Sequence, residues 1–121
     1  MDALISQYAR SLPGGFMTEQ WRGAHVFKVG TPDSFKMFAI LRPGDDRLTV
    51  KAPTPETYAM LIEVGVARQP CHLKRGNWME LQLGTLESDD VLERLRDSYD
   101  TVFPTLPKRV REALEQAPKK G

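Results

Sequence analysis

Residues 25–52 limit the possible folds most. Three strand-like runs, "HVFKV", "SFKMFAILR" and "RLTVKA", follow one another with only "GTPDS" and "PGDD" as turns between them. Each run is rich in β-branched and aromatic residues and alternates with period two. The turns are built from Gly, Pro, Asp, Ser and Thr. A parallel crossover needs about a dozen residues or more, so connections this short make the strands antiparallel neighbours.

Around this meander the apolar period lengthens to that of a helix. Leu4, Ile5, Tyr8, Ala9 and Leu12 place a short amphipathic helix over 2–12, with Asp2 as its cap and Pro13-Gly14-Gly15 as its stop. Thr54-Pro55 is a cap followed by proline at the first helical position. It opens a helix with Tyr58, Leu61 and Ile62 inward and Gly65 as its stop. "VARQP" reads as a short edge segment and "WMELQL" as the last strand. Ser88-Asp89-Asp90 caps a third helix with the stripe Val91, Leu92, Leu95, Tyr99, Val102 and Phe103, ended by Pro104. A fourth helix runs from about Leu106-Pro107 to Gln116, with Val110 and Leu114 inward, and 117–121 reads as a frayed tail. The expected architecture is α+β: one domain over 1–121, an antiparallel β-sheet with helices packed mainly on one face.

Alternation assigns the faces of that sheet. Phe27, Val29, Met37, Ala39, Leu48, Val50, Met79, Leu81 and Leu83 are expected under the helices. The opposite face then shows Lys28, Lys36, Arg42, Arg47, Lys51, Trp78 and Gln82, one acid, Glu80, and the apolar Phe38 and Ile40. Antiparallel sheets often leave one face wet, and lysines there blunt aggregation. The same composition also suits phosphates and exposed bases.

Net charge is +1, so no global basic bias marks the chain. The charge is segregated instead: basic over 21–83, acidic over 84–103 and basic again to the end. Asp89, Glu93, Asp97 and Asp100 form one acidic stripe on the third helix, read as a solvated face.

The single cysteine, Cys71, excludes an internal disulfide and fits a reducing, cytoplasmic setting; the bland reading of it is a small buried thiol. Cys71 and His72 are adjacent, so in an extended segment they point apart, and His25 is the only other histidine. Zinc-ligand spacing, a Cys-His nucleophile pair, a phosphate-binding glycine loop and a Gly-x-Ser-x-Gly elbow are all absent from the sequence. No apolar run approaches the roughly 18 residues of a membrane span, and "MDALISQYAR" lacks the pattern of a secretory signal. The expectation is a non-enzymatic protein without cofactor, metal or membrane partner.

An ordered set of short stretches resembles the MmcQ/YjbR family of small bacterial proteins. The set is "LPGG" at 12–15, Trp21 with Gly23, "VFKV" at 26–29, "KMFAIL" at 36–41 and "RLTVKAPTPE" at 47–56. It continues with His72 and Trp78, "SYDTV" at 98–102 and "LPKRVREAL" at 106–114. The resemblance implies a frataxin-like (CyaY-like) α+β fold and a DNA-binding role through a double wing of β-hairpins. It brings no catalytic residues. The turn "GTPDSF" is longer than the link usual in the family, and the first helix has only Asp2, so the iron-binding acids of frataxins are not carried over.

Two functions follow as expectations. The first is nucleic-acid binding, with DNA as partner. Lys28, Lys36, Arg42 and Lys51 would meet phosphates from the sheet, Lys74 and Arg75 from the loop, and Trp78 would stack on a base. The alternative is a protein-interaction adaptor using the acidic third helix or an exposed Phe38/Ile40/Trp78 patch.

Overall fold

The computed structural model describes residues 1–116, so the tail at 117–121 lies outside the described residues. The strands are β1 (Gly15–Gln20), β2 (Ala24–Thr31), β3 (Ser34–Arg42), β4 (Arg47–Lys51), β5 (Ala67–Arg68) and β6 (Trp78–Gln82). The helices are α1 (Asp2–Ser11), α2 (Pro55–Glu63), α3 (Ser88–Val102) and α4 (Lys108–Gln116). The strands form one antiparallel sheet in the order β1-β2-β3-β4-β6-β5, with the expected meander at its centre. "VARQP" supplies β5 as the short edge strand.

All four helices contribute to a single core on one face. Ile5 and Ala9 of α1, Leu61 of α2, Val91, Leu95, Tyr99 and Val102 of α3, and Val110 of α4 meet Phe27, Val29, Ala39, Leu41, Leu48, Val50, Met79 and Leu81 of the sheet. Thr54 caps α2 as its residue type dictates, its hydroxyl accepting from the Thr57 N–H at 3.0 Å, and Gly65 follows the helix at φ 81. Two caps differ from expectation. Met1 and Glu87, not Asp2 and Ser88, precede α1 and α3, and neither cap side chain bonds the helix; the acids lie in the first turns, where the helix dipole favours them. Leu83 is buried as expected but begins a 3-10 turn, Leu83–Thr85, instead of ending a strand.

β1 was not expected. "GFMTEQ" is an edge strand with Gly15 and Met17 as its only apolar positions on the helical side, so it lacks an apolar alternation. The chain reaches it through "LPGG". The Tyr99 hydroxyl donates to the Pro13 carbonyl at 2.5 Å, and a Cβ on Gly15 would run into the Ala9 carbonyl.

A β-bulge overturns part of the face assignment in β3. Phe27 pairs with Ala39 but Lys28 pairs with Met37, leaving Phe38 with no partner on β2. A bulge sets two residues of one strand against one of the other. Phe38 and Ala39 are therefore both wholly buried, and Phe38 meets Tyr99 edge-on with centroids 5.5 Å apart. Met37, expected in the core, is half-buried on the side of Lys28. Lys36 falls by register on the side of Val29 and stays exposed. The exposed Phe38/Ile40/Trp78 patch thus does not form. Burying a phenylalanine contributes about 2 kcal/mol, which favours this arrangement over an exposed Phe38.

The β3–β4 ladder ends at Ala39 and Val50, beside the bulge, and α3 extends it. The fully buried Ser98 donates its hydroxyl hydrogen to the Phe38 carbonyl at 2.5 Å and accepts from the Lys51 N–H at 2.8 Å.

Candidate nucleic-acid interface

The face away from the helices is not an open platform. Pro70, Cys71, His72 and Leu73 line one side of a groove of about 790 Å³, with Met37, Ile40 and Thr49 of the sheet on the other. The link between β5 and β6 therefore folds across this face. Cys71 is exposed within it, where a buried thiol was expected. His25 lies elsewhere: it pairs with Glu19 and Leu41, its Nε2 is 3.8 Å from Glu19, and its Nδ1 is buried without a hydrogen-bond partner among the described residues. His25, His72 and Cys71 do not converge.

Glu80 is the acid of this face, and it acts as a clamp. It accepts from Arg68 Nε at 2.5 Å and lies 3.9 Å from Arg47. Arg94, Arg96 and Lys108 likewise hold Asp97, Asp100 and Glu112 on their own helices. Half of the expected acidic stripe is thereby neutralised.

The cations singled out in the sequence differ from these. Lys28, Lys36, Arg42, Lys51, Lys74 and Arg75 form no ion pair among the described residues. Lys36 is near enough to Lys51 for their charges to interact, and Lys51 stands beside the loop that carries Lys74 and Arg75. Lys28 Nζ stands 4.7 Å over the ring of Phe35, which is 42% exposed and edge-on to Phe16. Lys51 Nζ lies 5.2 Å over Trp78, its register partner. A Cβ on Gly76, next in the chain to Lys74-Arg75, would be only 2.8 Å from that ammonium. Burial, and secondarily the positive charge of Lys36, lower the pKa of Lys51. A cation held against a neighbour of its own sign is stabilised when an anion arrives.

Trp78 is half-buried and carries the Lys51 ammonium on its ring, so it is neither fully open nor covered. The freely exposed tryptophan is Trp21, 55% exposed at the tip of the β1–β2 hairpin. Trp21, Arg22 and Gly23 all take positive φ, 47, 62 and 90, a tight turn that presents both side chains. Arg42, at the far end of β3 from Phe35, donates to the Trp21 carbonyl at 3.4 Å and so stands apart from the lysines. Sequence reasoning did not place Trp21 and Arg22 on an interface, because a hairpin tip is visible only once both of its strands are.

A larger recess of about 930 Å³ between α3, α4 and the β2–β3 turn is lined by Pro13, Phe16, Tyr99, Phe103 and Leu114, and its cation, Arg96, is already bound to Asp100. It offers no free positive charge.

A family model for YjbR matches residues 10–101. The chain belongs to the YjbR family. Its fold is shared with a solved YjbR-family structure, that of Deinococcus radiodurans protein DR2400, whose family-model domain is DUF419. The two agree with a TM-score of 0.81 and 27% identity, over 99% of this chain and 90% of that one. No curated protein matches the chain. The family resemblance carried by "LPGG" through "LPKRVREAL" is thus borne out, as is the α+β architecture. The YjbR chain has, among its described residues, no helix long and apolar enough to cross a membrane.

Proposed function

We propose that this YjbR-family chain is a non-enzymatic, cytoplasmic nucleic-acid-binding protein with DNA as its partner. Lys28, Lys36 and Lys51 of the sheet and Lys74 and Arg75 of the loop take the phosphates. Trp21 and Arg22 on one hairpin tip, with Arg42 beneath them, give a second contact. Trp78 serves mainly as the shelf that holds Lys51. The observation that carries this reading is that Lys28, Lys36, Lys51, Lys74 and Arg75 have no carboxylate partner among the described residues, while Arg47, Arg68, Arg94, Arg96 and Lys108 do. Unpaired, clustered positive charge is what a phosphate backbone neutralises.

Fluorescence anisotropy with a labelled short DNA duplex and the matching single strand tests it. Binding is expected at low salt. The combined substitution Lys28→Gln, Lys36→Gln, Lys51→Gln and Lys74→Gln should weaken it by about tenfold or more. Lys108→Gln, which removes an ion-paired lysine, should leave it nearly unchanged. Absence of binding at low salt, or an equal loss from Lys108→Gln, would overturn the reading.

A further inference from the structure

The groove on the outer face has a charge arrangement that phosphate binding at the lysines does not use. Arg42 and Arg47 are register partners across β3 and β4, and both line the groove. Like charges directly opposite on neighbouring strands destabilise a sheet unless something neutralises them. Little does so here. Glu80 is held by Arg68 at 2.5 Å and reaches Arg47 only at 3.9 Å. Among the described residues the Arg42 side chain has only its 3.4 Å bond to the Trp21 carbonyl. Asp45 also lines the groove, yet it forms no ion pair with either guanidinium among the described residues. Beside the two arginines the lining turns apolar, with Met37, Ile40 and Leu73, and the indole of Trp21 stands at the rim. The Thr49 hydroxyl, with no hydrogen-bond partner among the described residues, adds a polar handle in that lining. The volume, about 790 Å³, is within the roughly 300–1,000 Å³ of small-molecule sites.

We propose that this groove binds a small organic anion, with a flat apolar body against Met37, Ile40 and Trp21 and a carboxylate or phosphate taken by Arg42 and Arg47. Guanidinium groups suit such an anion because they donate paired hydrogen bonds with charge assistance. The anion would also remove the repulsion between the two arginines, so binding should stiffen the β3–β4 hairpin. Trp21 and Arg42 are shared with the second nucleic-acid contact, but Lys28, Lys36 and Lys51 do not line the groove, so a substitution at Lys51 tells this site from the lysine surface.

The probe is 2-naphthoate, titrated into the isotopically labelled full chain and followed by amide and arginine side-chain NMR, with the uncharged 2-naphthamide as a control of the same shape. Saturable shifts are expected at Ile40, Thr49 and Leu73. Arg42→Gln and Arg47→Gln should each weaken binding by about tenfold, and 2-naphthamide should bind more weakly by a similar factor. Both arginines are at the surface, and the dispersion of the same spectra reports whether each variant is folded. Lys51→Gln should leave the affinity unchanged. No saturable shift at millimolar 2-naphthoate would overturn the proposal. So would equal binding of 2-naphthamide, undiminished binding in the folded arginine variants, or a loss in Lys51→Gln as large as in Arg42→Gln.

Discussion

Tyr99 ties together parts of the chain that are far apart in sequence. Its ring meets Phe38 of the bulge edge-on and Phe103 beyond α3, and its hydroxyl donates to the Pro13 carbonyl. Burial pushes its pKa up to about 12 from the usual 10.0; Arg96 pulls the other way, and Asp100 adds slightly to the rise. The folded protein therefore keeps a proton that the unfolded chain gives up. The associated stability is fully present below pH 10 and is lost as pH rises through the folded value near 12. Denaturant unfolding at a series of pH values should show this alkaline decline in the wild type and a much flatter profile in Tyr99→Phe. At neutral pH the same variant should lose about 1 kcal/mol with the hydrogen bond to Pro13. An alkaline decline of the same size in Tyr99→Phe would assign it to other groups.

At the scale of elements, the bulge in β3 decides which side chains face the helices. Its open carbonyl and the unmatched Lys51 N–H depend on one hydroxyl, that of Ser98. Ser98→Ala leaves both buried groups without a partner, at a cost of about 2 kcal/mol, and exchange of the Lys51 amide with solvent deuterium should accelerate. A stability loss below about 0.5 kcal/mol would mean that the strands close the gap themselves.

The bulge also explains what the sequence could and could not reveal. The meander, the α2 cap at Thr54 and the helical stripes were legible because their signals are local: period, cap and turn residue. Period-two alternation has no way to register an extra residue, so it sent Met37 inward and Phe38 outward, the reverse of the outcome. β1 escaped because an edge strand needs few apolar residues. Trp21 and Arg22 escaped with it, since the turn between β1 and β2 has no meaning without β1. The crossing of Pro70 to Leu73 over the sheet is a tertiary event that no local pattern in "RQPCHL" encodes. Strand parity misplaced Lys36, which the bulge puts on the side of Val29, but Lys28, Arg42, Lys51, Lys74 and Arg75 were readable from parity and loop position. Their lack of ion partners was not, because pairing depends on which helix or strand comes alongside.

For the molecule as a whole, the segregation of charge along the chain becomes a segregation in space. Arg94, Arg96 and Lys108 are paired with carboxylates on their own helices, and Glu80 draws in Arg47 and Arg68. Among the described residues, Lys28, Lys36, Lys51, Lys74 and Arg75 of the sheet and loop and Arg42 and Arg22 near the hairpin tip form no ion pair, and neither do Arg10, Arg109 and Arg111 on the helices. A protein with a net charge of +1 can in this way hold a local cationic surface without being basic overall. The central claim is that these residues neutralise phosphates, and the dependence of DNA affinity on salt measures that directly. If Lys28, Lys36, Arg42, Lys51, Lys74 and Arg75 each displace a counterion, a plot of log affinity against log salt concentration should fall with a slope of about −5. In Lys36→Gln/Lys51→Gln the slope should become shallower by about 2. A slope near zero, or one that the double substitution leaves unchanged, would contradict the account.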